Sequence, residues 1–397
     1  MTLSDAVLSL LAVPVVLASG YLALLALLAG RLRAPAPGRE ARFDVVVPAH
    51  DEEAGIADTV RSLLALDYPR ERYRVVVVAD NCTDRTAEVA AAAGARVLTR
   101  VDAQHRGKGY ALAHAFETLG AEAVADAFVV VDADTLVSPN LLGAFAARLA
   151  AGAQALQAEY GVRNPAASWR TRLVHLAFTL FHDVRSSARE RLRLSCGLRG
   201  NGMGFTRALL AQVPHDAFSV VEDLEYGIRL GLAGHRVHYV AEARVVGEMA
   251  ASEEASRSQR ERWEGGRLQI ARRFAGPLLA RALRQRSAVL LDLALDVLVP
   301  PLSYVVLAAV GGLGLSSLGL VVGLGTRLAS GLFAAAVLGL VAYVARGLVS
   351  SGLGWQGVAD LLRAPFFVAW KLALLLRRGS AARRGEWVRT RREKRPS

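Results

Sequence analysis

The sequence predicts an α/β domain on a largely parallel sheet, set between apolar segments long enough to cross a bilayer. Three observations predict it. Runs of β-branched residues alternate with helix-periodic stretches from Phe43 to about Tyr160. The apolar surplus is concentrated at the two ends, while the middle has a mixed, globular composition. The stretch VVVDADTL, Val129–Leu136, ends a buried strand by presenting two carboxylates, Asp132 and Asp134, at its C-terminal tip, where open α/β sheets bind ligands.

The first element is Val7–Leu28, almost uninterruptedly apolar and long enough to cross a membrane at about 1.5 Å per residue. A cleavable signal peptide fits it poorly. The run is too long, no positive charge precedes it, and Arg31, Arg33 and Arg39 follow it. By the positive-inside rule the domain after it is cytoplasmic.

Within the domain, Phe43–Val47 reads as a strand, Ile56–Leu66 as a helix and Arg74–Asp80 as a second buried strand. A helix near Thr86–Ala93, a short strand at Ala95–Thr99, a helix at Lys108–Leu119 and the strand Phe128–Val131 complete a βαβα series with right-handed crossovers. Trp169–Leu194 has apolar positions at helical spacing and then Arg185, Arg189, Arg191 and Arg193. It fits either a helix against the membrane surface or a core helix with a solvated basic end. Leu302–Gly325 and Ala329–Val349 read as a hairpin of two spans about a short turn holding Arg327. The arginine-dense tail, Arg377–Arg392, then returns to the cytoplasmic side. Ala288–Val299 carries Asp292 and Asp296, and Trp355–Leu376 carries Asp360, Arg363 and Lys371. Charges are costly inside a span, so both segments read as amphipathic helices in the interface. The expected division is a span at 1–30, a catalytic domain at 40–276, a membrane region at 285–350, and an interfacial helix with basic tail at 351–397.

Hydrophobic residues make up 53% of the 397 and the net charge is +12. The mean hydropathy is +0.30. Basic flanks of a membrane protein account for this charge better than nucleic-acid binding does, since no basic stripe interleaved with stacking aromatics is present. The two cysteines, Cys82 and Cys196, lie far apart without metal-ligand spacing, which fits a reducing compartment.

Polar clusters follow the predicted strands: PAHDEE at Pro48–Glu53, then Asp80, Asn81 and Asp84, then Asp132 and Asp134. Each alone is compatible with a turn or helix cap. On consecutive strand tips they line one sheet edge, as a nucleotide cleft requires, and the paired carboxylates suit Mg²⁺ or Mn²⁺ carrying a phosphorylated substrate. HRGKGYAL places Lys108 between two glycines at a helix start. It is either a plain helix N-terminus or a close approach to a diphosphate, and it lacks P-loop spacing. RGNGMGF, Arg199–Phe205, is a glycine-rich turn. VEDLEYGIRL opens a helix with Glu222 and Asp223, and SQRERWEGGR holds Gln259, Arg262 and Trp263. Each of the last two also fits an ordinary helix.

In this order the motifs resemble the family 2 glycosyltransferases of GT-A fold, a Rossmann-like nucleotide-sugar-binding domain, and especially the membrane-embedded cellulose, chitin and hyaluronan synthase branch. The resemblance spans about Arg42–Phe274, with Val221 where the family has threonine. It implies that Asp80 contacts the nucleotide base, Asp132 the ribose and diphosphate, and Asp134, with Asp132, the metal. Asp223 is then the base that deprotonates the acceptor hydroxyl, Arg262 meets the diphosphate, and Trp263 forms an acceptor platform. Pro48, Glu52, Lys108, Glu222 and Gln259 complete the expected substrate-binding set. The expected enzyme is an inverting, multi-pass hexosyltransferase of the inner or plasma membrane. It uses a nucleoside-diphosphate sugar, UDP-linked by preference, and a lipid-linked or glycan acceptor, and takes no nucleic acid. The alternatives are a processive synthase, disfavoured by the few spans, an inactive scaffold, disfavoured by the intact carboxylates, and a sugar-1-phosphate nucleotidyltransferase.

Overall fold

In the computed structural model residues 2–249 and 265–363 are described, with the backbone alone for 253–264. The chain opens with helix α1 (Leu3–Leu28) and then builds β1 (Phe43–Ala49), α2 (Ile56–Leu64), β2 (Tyr73–Asp80), α3 (Thr86–Ala92), β3 (Arg96–Arg100), α4 (Lys108–Glu122) and β4 (Ala127–Val130). These are the predicted strands and helices, shifted by a few residues at their ends. β1 pairs in parallel with β2 and β4, and β2 in parallel with β3, giving the order 3-2-1-4. Strands alternate their side chains between two layers. Val45, Val47, Val75, Val77 and Val129 pack on Ile56, Val60 and Leu63 of α2. Val46, Val76, Val78 and Val130 pack on Ala111, Leu112, Ala115 and Leu119 of α4. Burial on both faces is why these strands read as unbroken valine runs.

The second half is mixed. β5 (Thr135–Val137), α5 (Leu141–Ala150) and β6 (Ala155–Val162) lead to α6 (Trp169–Phe178), a π-helical turn at Thr179–Val184, and α7 (Arg185–Arg191). Then come β7 (Met203–Thr206), α8 (Arg207–Gln212), α9 (Glu222–Leu232) and β8 (Val237–Gly247). β7 lies antiparallel between β4 and β6, and β5 antiparallel against β8. β6 and β8 pair in parallel, so the eight-stranded sheet is parallel throughout β3-β2-β1-β4 and mixed beyond β4.

The C-terminal part holds α10 (Glu253–Gln285), α11 (Ala288–Leu298), α12 (Leu302–Val321), α13 (Arg327–Ser351) and α14 (Gly354–Leu361). Among the described residues, α1, α12 and α13 are the three helices long and apolar enough to cross a membrane. The start of α1 meets the α12–α13 turn, where Asp5 accepts from the Ala329 N–H at 3.0 Å and the Thr2 hydroxyl donates to the Leu324 carbonyl at 2.7 Å. At the opposite end Arg346 donates to the Ala29 carbonyl at 3.1 Å. The hairpin of the sequence reading is therefore present, with α13 running parallel to α1.

Two segments differ from expectation. In Trp169–Leu194 the basic residues divide: Arg185 and Arg189 are buried, and Arg191 and Arg193 at the end are exposed. The segment joins the sheet to α1 and α13: Tyr343 donates to the Leu180 carbonyl at 3.0 Å and Arg191 to the Leu28 carbonyl at 2.9 Å. In Ala288–Val299 the acidic side chains turn inward instead of facing an interface. Asp292 and Asp296 are buried against Arg185 and Arg189. Asp360 likewise pairs with Arg172 of α6 at 2.5 Å. Residues 364–376 and the basic tail to Arg392 lie outside the described residues.

Candidate active site

The order 3-2-1-4 reverses direction between β1 and β4, and a crevice opens at the carboxyl edge of such a switch point. A cavity of about 610 Å³ lies there. Its polar half is lined by Pro48, His50 and Glu52 after β1, Asp132 and Asp134 after β4, Lys108 at the start of α4, and Glu222 and Asp223 at the start of α9.

Lys108 ties these pieces together. Its ammonium donates to Asp132 Oδ1 at 2.5 Å and to the Gly200 carbonyl at 2.5 Å, and lies 3.8 Å from Glu222. Gly109, the next residue, sits where an added Cβ would strike the Ala217 backbone, so only glycine lets α4 enter this close. The turn carrying Gly200 is fixed from below. Asn201 accepts from the Asp132 N–H at 3.1 Å and donates to the Thr135 hydroxyl at 2.7 Å, and Gln157 donates to the Asn201 carbonyl at 2.7 Å. Gly200 has φ +78°, and a side chain there would crowd Asp223 and Lys108. The glycine-rich turn found in the sequence thus presents its backbone to the carboxylate set.

Burial pushes the carboxyl groups of both Glu222 and Asp223 above their usual range, although the Lys108 charge opposes the shift in each. For Lys108 burial works against the charged form. Asp132 and Glu222 more than offset it and hold the ammonium above the ordinary lysine value. The site therefore keeps one firmly charged cation among carboxylates, two of which carry protons more readily than a solvated acid.

Of the expected residues, the structure brings Pro48, Glu52, Lys108, Asp132, Asp134, Glu222 and Asp223 to one cavity. Asp80 differs. Its carboxylate is 1% exposed and absent from the lining, held by Arg100 at 2.6 Å and by the Asn81 amide at 3.1 Å. The reason is topological: β2 lies one strand away from the switch point. Arg100 also donates to the His105 carbonyl at 2.8 Å and lies 5.9 Å from the centre of the ring of Tyr110, a cavity-lining residue. The side chains of Gln259, Arg262 and Trp263 lie outside the described residues.

The sequence reading missed Arg185, Arg199 and Arg267, which line the inner part of the cavity with Phe181. Arg199 stood in a motif already singled out, and its signal was a charge inside an otherwise small-residue turn.

Asp132 and Asp134 offer hard oxygen donors that could hold Mg²⁺ or Mn²⁺, with Asp132 already paired to Lys108 at 2.5 Å. A second group, Asp51, Cys82 and Asp84, brings three donor atoms within 4.8 Å of one another. It stands off the cavity, with Asp51 accepting from the Thr83 N–H at 2.7 Å and Asp84 from the Thr86 N–H at 2.9 Å, as in turns and helix caps.

Comparison with known proteins gives a consistent result. The family model described as "Glycosyltransferase like family 2" matches residues 41–266. The Bacillus subtilis (strain 168) protein named "Probable glycosyltransferase YdaM" is 25% identical over 244 residues, 59% of this chain and 57% of the relative. The beta-monoglucosyldiacylglycerol synthase of Synechocystis sp. is 31% identical over 231 residues, 56% of this chain and 47% of the relative. The chain thus spans about half the length of these curated relatives. Among solved structures, the mannosyltransferase PcManGT from Pyrobaculum calidifontis, in complex with GDP-Man and Mn²⁺, is 20% identical with a TM-score of 0.50 over 86% of this chain and 99% of its own. That likeness establishes a fold of the GT-A type.

Proposed function

The chain belongs to glycosyltransferase-like family 2, and on that premise we propose that it is a membrane-bound inverting hexosyltransferase. It moves a sugar from a nucleoside-diphosphate sugar to a hydroxyl of a lipid-linked or surface-glycan acceptor. The observation that carries this reading is the convergence of Lys108, Asp132, Asp134, Glu222 and Asp223 on one cavity at the switch point.

In the proposed reaction the acceptor hydroxyl gives its proton to the Asp223 carboxylate. A bond forms between the acceptor oxygen and the anomeric carbon. The bond from that carbon to the diphosphate oxygen breaks, and its electron pair leaves with the nucleoside diphosphate. Attack from the opposite face inverts the centre. Burial makes Asp223 a stronger base than a solvated aspartate. Lys108, kept charged by its carboxylate neighbours, faces the departing diphosphate. Asp134 and Asp132 would hold Mg²⁺ or Mn²⁺, which when bound spreads the negative charge of the leaving group.

Addition of one or a few sugars is favoured over extrusion of a polymer. Among the described residues, Leu22 and Leu25 of α1 share a packed core with Ala336 and Leu340 of α13, and Gly339 approaches the Ser19 backbone, so these two helices form a close seam. The basic flanks support a cytoplasmic catalytic domain.

The test is a screen of UDP- and GDP-sugars with purified full-length protein, reading nucleoside diphosphate release with membrane lipid extract as acceptor. Release from one donor, abolished by EDTA and restored by Mg²⁺ or Mn²⁺, is expected. No release from any donor leaves an inactive scaffold.

A pH profile separates the two raised carboxyls. A base works only when deprotonated, so kcat/KM is expected to fall as pH drops through the Asp223 pKa, above the ordinary aspartate range. Burial pushes Glu222 up further, to about 8, so it is protonated where Asp223 titrates; Glu222→Gln mimics that neutral side chain and is expected to leave the acid limb in place. Asp132, Lys108 and Arg199 still act on Asp223 in that variant. A limb that moves to lower pH would mean that Glu222 is already charged where Asp223 titrates, and that the two groups share one titration.

A further inference from the structure

The cavity does not end at the carboxylates. Its inner half is walled by Leu22 of α1, Phe178 and Leu180 at the π-helical turn, Val299 and Leu302 between α11 and α12, and Tyr343 of α13. Three of the helices that supply this wall, α1, α12 (from Leu302) and α13, are long and apolar enough to cross a membrane. A hydrophilic acceptor would leave this wall facing water, whereas a hydrocarbon chain covers it.

Between the two halves stand three arginines around one ring. The guanidinium carbons of Arg199, Arg185 and Arg267 lie 4.1, 4.8 and 5.6 Å from the centre of the Phe181 ring, and all three residues line the cavity. With Arg189 they form a cluster whose counter-charges are Asp292 and Asp296. Asp296 pairs with Arg185, with Arg189 at 2.8 Å and with Arg267 at 3.8 Å, and Asp292 pairs with Arg189 at 3.0 Å. Four guanidiniums thus face two carboxylates. Among the described residues, Arg199 is the one of the four without an ion pair. It is 8% exposed, donates to the Cys196 carbonyl at 2.8 Å, and its Nε has no partner. Burial accordingly pulls its pKa down to about 10. A desolvated cation with an unused donor at the edge of a cavity marks the place of an anion.

We propose that the acceptor is a phosphate-bearing lipid, with its hydrocarbon chain along the apolar wall, its phosphate at Arg199 and its sugar-accepting hydroxyl towards Asp223. The proposal rests on the glycosyltransferase reading and names the acceptor class of that same site. Each half of the cavity excludes one simpler acceptor. A neutral lipid leaves Arg199 buried with no direct ion pair among the described residues, and a soluble phosphate ester leaves the apolar wall uncovered. The other source of phosphate oxygens at Arg199 is the donor diphosphate, and the experiment separates the two.

The full chain, stripped of lipid in a non-ionic detergent, is probed by native mass spectrometry with three matched ligands. Phosphatidylglycerol has chains, phosphate and free hydroxyls; diacylglycerol has chains and a hydroxyl but no phosphate; glycerol 3-phosphate has the headgroup without chains. Phosphatidylglycerol is expected to bind at least about tenfold more tightly than either of the others. Equal binding of diacylglycerol overturns the anion site, and equal binding of glycerol 3-phosphate overturns the apolar one. These wild-type comparisons decide without any variant. Arg199→Gln is then expected to lose that preference about tenfold while UDP affinity by equilibrium dialysis stays unchanged. A fall in UDP affinity with the lipid preference intact assigns Arg199 to the donor and overturns the proposal. Donor cleavage on the same preparation keeps the two readings apart. Cleavage without lipid preference removes only the lipid acceptor, and no cleavage of any donor removes the glycosyltransferase reading itself.

Discussion

Asp223→Asn is expected to lower sugar transfer by about 10²–10⁴-fold with little change in folding or in nucleotide affinity, the range that a positioned general base contributes. The substitution keeps the size and shape of the side chain at the start of α9, so the close packing against Gly200 is preserved. What it removes is the only function the mechanism asks of this group, to accept a proton from a hydroxyl that is a poor nucleophile. The amide has no lone pair basic enough to do so. Asp132, Lys108 and the Gly200 turn remain in place, so the nucleoside diphosphate is still held. The result should therefore appear in kcat, with KM for the donor nearly constant. A protonatable neighbour gives the control. Glu222 is also buried at the cavity and raised, but it leans on Lys108 at 3.8 Å, and Glu222→Gln should cost less than Asp223→Asn. Near-normal turnover by purified Asp223→Asn, or a larger loss from Glu222→Gln, would move the base to Glu222.

Legibility in the sequence followed the range of the interactions involved. Of the four parallel strands, β1, β2 and β4 were readable because they are buried on both faces, and valine runs at Val45–Val47, Val75–Val78 and Val129–Val131 announce that locally; β3, at the sheet edge, is short and has no buried residue. β5 and β7 were not, since strands of three and four residues such as Thr135–Val137 and Met203–Thr206 carry too little pattern to show a period. Asp132, Asp134, Glu222 and Asp223 were found through motif order, and their convergence follows from strand order at β1 and β4. Asp80 shows the limit of that reasoning. A strand tip can be inferred from sequence, but which way its carboxylate turns depends on Arg100, twenty residues away and on another strand. Arg199 escaped because its meaning lies in what it lacks among the described residues, a carboxylate in direct ion pair, and that is visible only once Asp292 and Asp296 are seen to be shared among its neighbours.

Arg189→Met is expected to destabilise the protein by about 3–5 kcal/mol, the cost of removing one partner from a buried charge pair. Arg189 is 1% exposed and is the centre of a network that spans four separate parts of the chain. It donates to the Tyr21 hydroxyl of α1 at 2.6 Å and pairs with Asp292 at 3.0 Å and Asp296 at 2.8 Å, both on α11. Tyr21 in turn donates to Asp292 at 2.7 Å. Asp296 would keep Arg185 and Arg267 as counter-charges after the substitution, but Asp292 would keep only the Tyr21 hydroxyl and become a buried carboxylate without a cation. The cost therefore falls on α11, which the sequence placed at an interface because of these same aspartates. The cycle with Asp292→Leu decides whether that account is right. Asp292→Leu alone should also destabilise, by leaving a surplus arginine. The double variant should recover a large part of the loss, because a matched apolar pair replaces a matched ionic one. Thermal unfolding of the detergent-solubilised protein reads all four states. Additive losses in the double variant would show that Arg189 and Asp292 stabilise the fold independently, and that the junction between α1, α7 and α11 is held by its apolar contacts.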